Sequence, residues 1–207
     1  PKPGDSRPGR NAAPLARLIM PLVVVKYGTP VLRQKGERIE SITPAIRQLA
    51  ADMLETMYVK RGIGLAAQQV GVATQLAVID VRGVTDRPSS LERHGKSANV
   101  DAFMPLVLIN PELNPLGEPE SGPEGCLSFP EIYADITRPA GVEVKALDLE
   151  GKPIEFRCGG LLARVIQHEW DHLQGILFID RMDRATKANL KPELDLLMAE
   201  TKAALKL

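Results

Sequence analysis

The chain has 207 residues, 26 basic side chains against 26 acidic ones, 44% apolar residues and 4% aromatic ones. These are the proportions of an ordinary globular domain, not of a disordered or fibrous chain. No apolar run reaches the roughly 18–20 residues of a bilayer span, and zero net charge argues against sequence-specific nucleic acid held on a broad basic face.

The first 19 residues hold four Pro, two Gly, four basic residues and one acid, without helical or strand periodicity. They read as a disordered tail, a tag or a processed leader, with Met20 as a natural start and residues 20–207 as a single catalytic domain. From Pro44 to Tyr58, Ile46, Leu49, Ala50, Met53, Leu54 and Met57 follow the three-and-four spacing of an amphipathic helix, with Thr43 as cap. Strands are expected at Gln75–Val81, Leu106–Asn110, Ala134–Thr137, Val142–Leu147 and Ile154–Arg157, the last two joined by a turn around Gly151. Between Arg82 and Asp101 large apolar residues are scarce, so that stretch is expected to be a long exposed loop, with His94 a solvated loop residue. A second helix runs from about Gly160 to Gln174, stopped by Gly175, and a third begins near Pro192. The two cysteines, Cys126 and Cys158, make no disulfide framework, so a reducing compartment is the default. The fold class expected is α+β, with short, mostly antiparallel strands around a central metal-bearing helix flanked by an N-terminal and a C-terminal helix.

The chemistry concentrates in three stretches. In Gln167–Gly175, His168 and His172 stand four apart, so on a helix their rings lie one above the other and can grip one cation. Glu169 follows the first of them, rotated by about 100 degrees, beside the cation as a candidate base. Apolar neighbours such as Leu162, Val165, Ile166 and Leu173 make polar groups without partners costly there, by roughly 1–3 kcal/mol each. Two histidines leave a divalent ion short of a third ligand, and Cys126, in the rigid segment Glu124–Pro130, is the candidate to supply it. Cys158 reads as a small apolar strand-end residue. The third stretch, Gly62–Gly71, lacks the Lys-Ser/Thr ending of a phosphate loop. Its glycines allow close backbone approach to a ligand, and one of Gln68 and Gln69 is a candidate donor to developing negative charge.

Taken together, Gly62–Gln69, Glu124–Ser128 and His168–His172 resemble the motifs Gly-x-Gly-x-Ala-Ala-x-Gln, Glu-Gly-Cys-Leu-Ser and His-Glu-x-x-His of the peptide deformylases, in the same order. The resemblance runs from about Pro21 to Asp183 and is strongest to the bacterial and chloroplast-type branch. It implies removal of the formyl group from the N-terminal formylmethionine of nascent polypeptides by one divalent metal ion. Fe2+ is expected in the cell, with Ni2+, Co2+ or Zn2+ as replacements. By the same resemblance Cys126, His168 and His172 are the metal ligands and Glu169 the general base and acid. Gln69, not Gln68, becomes the oxyanion donor, joined by the backbone amide of Leu127. Ile63 and Gly64 bind the peptide backbone, and Val165, on the apolar face of the ligand helix, lines the methionine pocket. Arg138 is expected to pair with either Glu124 or Asp171. The implied partners are formylmethionyl nascent peptides and the ribosome near its exit tunnel, in the bacterial cytoplasm, a plastid or a mitochondrion, with no membrane.

Two rival readings share part of this pattern. A zinc endopeptidase carries His-Glu-x-x-His but takes its third ligand from a Glu or His further along, for which Glu193 and Glu200 are the downstream glutamates. A non-catalytic metal-binding relative would need the ligands alone. Neither Glu169 nor Gln69 is required merely to hold a cation, which argues against the second.

Overall fold

The computed structural model describes residues 21–206; the expected tail and the proposed start at Met20 lie outside them. Helix α1 spans Pro44–Val59, its first turn closed by Thr43 Oγ1, which accepts from the Ile46 amide, with Pro44 at the position where a missing N–H costs nothing. Seven strands follow: β1 (Gly64–Ala66), β2 (Leu76–Ile79), β3 (Ser89–Arg93), β4 (Lys96–Ser97), β5 (Leu106–Cys126), β6 (Phe129–Leu147) and β7 (Pro153–Gly159). They form one sheet in the order β1-β2-β5-β6-β7-β3-β4, and the pairings between neighbours are antiparallel. Helix α2 (Gly160–Leu173) leaves the end of β7 directly, and α3 (Arg184–Asn189) and α4 (Lys191–Ala204) close the chain. The α+β class expected from the sequence is the class found.

Three large apolar clusters hold these elements, with a small fourth of Ala66, Ala77 and Leu173 between them. One packs Leu162, Val165 and Ile166 of α2 against Leu108, Val142 and Phe156 of the sheet. A second sets Met53 and Met57 of α1 on Leu65, Val78 and Ile109. The third gathers Phe129, Ile136 and Phe178 with Leu194 and Leu197 of α4. Helix α2 thus has apolar contacts over much of its length, and every polar side chain it carries inward needs a partner.

Two expectations are corrected. The segment 82–101 is not a bare loop: β3 and β4 form a hairpin across His94 and Gly95, both at positive φ (51° and 73°), the backbone that primed two-residue turns require. Leu91 is the buried residue of β3, too little apolar alternation to announce a strand. His94 itself is exposed, as expected. The short strands at Leu106–Asn110, Ala134–Thr137 and Val142–Leu147 are fragments of two long ones, β5 and β6, which pair as a ribbon with register shifts near Ile109, Leu116 and Gly125. The turn between β6 and β7 is as read, with Asp148 Oδ1 accepting from the Glu150 and Lys152 amides and Gly151 at φ 77°. Ahead of α4 the sequence reading missed α3, whose cap Asp183 accepts from the Ala185 and Thr186 amides.

Candidate active site

Helix α2 carries His168, Glu169 and His172 inward, all buried. It ends where Gly175 takes φ 73° and donates its amide to the His172 carbonyl at 3.0 Å. Opposite, β5 finishes at Cys126 and turns through Leu127 and Ser128 into β6. The Cys126 sulfur lies 3.3 Å from His172 Nε2, and the candidate ligand atoms of Cys126, His168 and His172 all fall within 4.8 Å of one another. Ligands at roughly 2.0–2.3 Å from a tetrahedral cation stand roughly 3.3–3.6 Å apart, so this soft-and-borderline donor set fits one divalent ion with little movement.

Behind the ligands lies a charge network that fixes their orientation. His168 Nδ1 bonds Glu124 Oε2 at 2.9 Å, which turns the other ring nitrogen toward Cys126. Arg138 resolves the choice left open by the sequence by taking both acids: Nε and Nη2 donate to Glu124 at 2.6 and 3.0 Å, and Nη1 to Asp171 at 2.8 Å. Burial acts to raise the Glu124 carboxyl, but the His168 ring and the Arg138 guanidinium outweigh it and hold the group at about 2. Burial, assisted by the charges on His168 and Arg138, pushes His172 well below the usual imidazole value. The Glu169 carboxyl is pushed up to about 7, chiefly by burial, with His168 pulling it down and Glu124 pushing it up.

Gln69 and Gln68 separate clearly. Gln69 Oε1 accepts the Ala66 amide at 2.8 Å, so its Nε2 is aimed outward and donates to Cys126 Sγ at 3.4 Å. Gln68 is buried beneath Gly36. A cavity of about 540 Å3 is lined by Ile63, Gly64, Gln69, Cys126, Leu127, Val165, His168 and Glu169 together, with His172 buried behind Cys126. The nine residues to which the family resemblance gives a catalytic, metal or substrate role therefore meet at one place. Strand β1 is an edge of the sheet, and at Gly64 an added Cβ would strike Glu169 Oε1 and stand 2.8 Å from Val165 Cγ1. Only glycine lets the strand backbone lie against that carboxylate.

Cys158 is not part of this site; burial pushes its thiol up to about 12. Arg164 was overlooked in the sequence. Lying four residues before His168 on α2, it donates to Glu124 Oε1 (2.9 Å) and to the carbonyls of Ile136 (2.7 Å) and Glu120 (2.8 Å), and so fastens the β5–β6 ribbon to the helix. A guanidinium amid the apolar first turns of that helix, between Leu162 and Ile166, is the signal that could have found it.

A Cys-His-His group with a buried glutamate beside it, at the floor of a cleft bordered by an open strand edge, defines the class as a metal-dependent hydrolase. The polypeptide deformylase family profile matches residues 21–188, and the chain belongs to that family, making it an enzyme, a metal-dependent amide hydrolase. It is 51% identical over 176 residues to a peptide deformylase of Methylacidiphilum infernorum, covering 85% of this chain and 92% of the relative. With that of Opitutus terrae the identity is 46% over 190 residues, covering 91% and 98%. Among solved structures, the plant peptide deformylase PDF1B superposes with a TM-score of 0.77 at 35% identity, covering 90% of this chain and 94% of that one. The Synechococcus elongatus peptide deformylase in complex with actinonin does so at 0.69 and 40%, covering 88% and 86%. Among the described residues no helix is long and apolar enough to cross a membrane.

Proposed function

We propose that this enzyme removes the N-formyl group from the formylmethionine that begins nascent polypeptides and releases formate, using one divalent cation held by Cys126, His168 and His172. The observation that carries the reading is the meeting of that ligand group with Glu169 and Gln69 at the floor of a cleft whose wall is a free strand edge. Held by Cys126, His168 and His172, a divalent cation, expected to be Fe2+ in the cell, would supply Lewis acidity to the formyl oxygen and to a nearby water. Glu169 takes the proton of the attacking water and returns it to the leaving amine. Gln69 Nε2, pre-aimed by the Ala66 amide, and the Leu127 backbone amide donate to the oxyanion as it develops. The Ile63 carbonyl already accepts the Asp80 amide at 3.0 Å, so by the alternation of the ladder the N–H and C=O of Gly64 face the free edge, where the peptide meets them with Ile63 alongside. Val165 forms part of the wall for the methionine side chain. A substrate that is a growing chain places the enzyme near the ribosomal exit tunnel, in the bacterial cytoplasm or an organelle.

The test is formate release from formyl-Met-Ala-Ser, measured anaerobically with metal content determined on the same sample. Formate should appear in proportion to bound metal, and unblocked Met-Ala-Ser should stay intact. Glu169→Ala should keep the metal and lose about 10^2- to 10^4-fold in turnover, whereas Cys126→Ser should lose the metal. Cleavage of internal bonds in unblocked peptides would favour the endopeptidase instead. Its alternative ligands Glu193 and Glu200 are exposed on α4, outside the ligand group found among the described residues.

A further inference from the structure

We infer that the mouth of the catalytic cleft selects formylated peptides with acidic side chains two or three residues after the formylmethionine, through Arg61, assisted by Lys60 and Arg87. The inference rests on the peptide-deformylating reading above. Lys60, Arg61 and Arg87 all line the cavity that holds Glu169 and Gln69, and all three are exposed. Among the described residues none of them forms an ion pair, whereas the fourth cation of the lining, Arg164, is engaged by Glu124. The cavity's acids are Glu124, Glu169 and Glu131. The first is consumed by Arg138, Arg164 and His168, the second is buried at the floor, and Glu131 alone is exposed. Positive charge therefore dominates the exposed rim.

Strand β1 sets the direction in which a peptide leaves. Toward Ala66 and Ala67 the chain is fully buried and leads to Gln69, where the formyl group must sit. In the other direction Gly62, Arg61 and Lys60 all line the cavity. A peptide paired with the β1 edge therefore runs antiparallel to it. At about 3.3 Å per residue, the three positions from Gly64 to Arg61 bring its third or fourth residue beside the cations.

The backbone at Arg61 gives independent support. Helix α1 ends with the Gly62 amide bonded to the Met57 carbonyl and the Arg61 amide to that of Tyr58, both at 2.9 Å, a helix stop that ordinarily places glycine in the left-handed residue. Here that residue is Arg61, at φ 56°. An arginine tolerated in a conformation that favours glycine, at the lip of a catalytic cleft, points to a use for its side chain.

The test compares kcat/KM of the metal-loaded enzyme for formyl-Met-Ala-Asp-Asp and formyl-Met-Ala-Lys-Lys at low and high salt, using the ratio within each variant as the readout. The wild-type ratio should favour the acidic peptide by about three- to tenfold at low salt and fall toward one at 0.5 M NaCl, as exposed charges are screened. Arg61→Gly, which removes the charge and relieves the backbone, should bring the ratio near one. Arg61→Glu should invert it, and Lys152→Glu, a charge reversal on the β6–β7 turn, should leave it as in the wild type. A wild-type ratio within twofold of one, with both peptides deformylated, overturns the inference and leaves the deformylase reading intact. The inference also falls if the ratio stays near one while polyuridylate inhibits in an Arg61-dependent way, since the rim would then serve phosphates. Failure of every formyl peptide to release formate overturns the underlying reading instead.

Discussion

Gly64 and the two cysteines carry predictions that belong to single side chains. At Gly64 φ lies outside the left-handed region, so alanine meets no backbone strain there; its methyl would meet the Glu169 carboxylate and Val165. Gly64→Ala should fold and keep its metal while kcat/KM for formyl-Met-Ala-Ser falls about 10- to 100-fold, the cost of displacing a catalytic group by a fraction of an ångström. Near-normal turnover would mean that Glu169 acts from another position. Cys158 is buried, with its thiol pushed up to about 12, and so stays protonated and unreactive at neutral pH. Cys126 is half-exposed in the wall of the cleft. Iodoacetamide at pH 7.5 should therefore label Cys126 once the metal is stripped, leave it unlabelled when the metal is bound, and spare Cys158 in both cases. Peptide mass mapping reads the outcome, and label on Cys158 in folded protein would contradict its burial.

Among the elements, the decisive joint is the one between the β5–β6 ribbon and α2, where Arg138 holds Glu124 and Asp171 with all three side chains at most 5% exposed. Buried charges of this kind hold a structure only as a complete set. Because Glu124 sits at about 2 against an ordinary 4.5, its contribution is present above about pH 4.5 and fades as pH falls toward 2. Unfolding free energies of the wild type and Glu124→Gln from urea titrations, both in chelator, should differ at pH 6 by about 3 kcal/mol at most and converge toward pH 3. A gap that stays constant would mean that shape, not charge, is what Glu124 contributes. This joint also marks the limit of what the sequence discloses. Helices α1 and α2 were legible because Thr43–Pro44, Gly175 and the three-and-four apolar spacing act locally. The ligand pair and Glu169 were legible because a helix converts spacing into geometry. The ribbon was not, since Pro111, Pro115, Pro119 and Pro123 interrupt β5 every four residues. They are tolerated because β2 pairs with Leu106–Ile109 alone, leaving the rest of β5 an edge on that side, with bulges. Contacts such as His168 with Glu124, 44 residues away in the chain, depend on the ribbon's register, which no local pattern encodes.

Across the whole molecule, the candidate ligands tie together segments that fold from distant parts of the chain: Cys126 closes β5, and His172 lies 46 residues later on α2. A cation bound there cross-links the ribbon to the central helix, and it binds the folded state because the unfolded chain does not hold the three donors together. At free metal about 1,000-fold above its dissociation constant, such binding adds about 4 kcal/mol of stability. For a domain of this length that raises the thermal midpoint by about 8–16 °C. Chelation should lower the midpoint by that amount and readdition of metal should restore it. Glu169→Ala should retain most of the increment, since Glu169 lies outside the ligand group, while Cys126→Ser should lose most of it. Scanning calorimetry at matched free metal separates these cases. A wild-type midpoint indifferent to chelator would mean that no cation joins β5 to α2, and the ribbon would then be held to the helix by the Arg138 and Arg164 contacts alone.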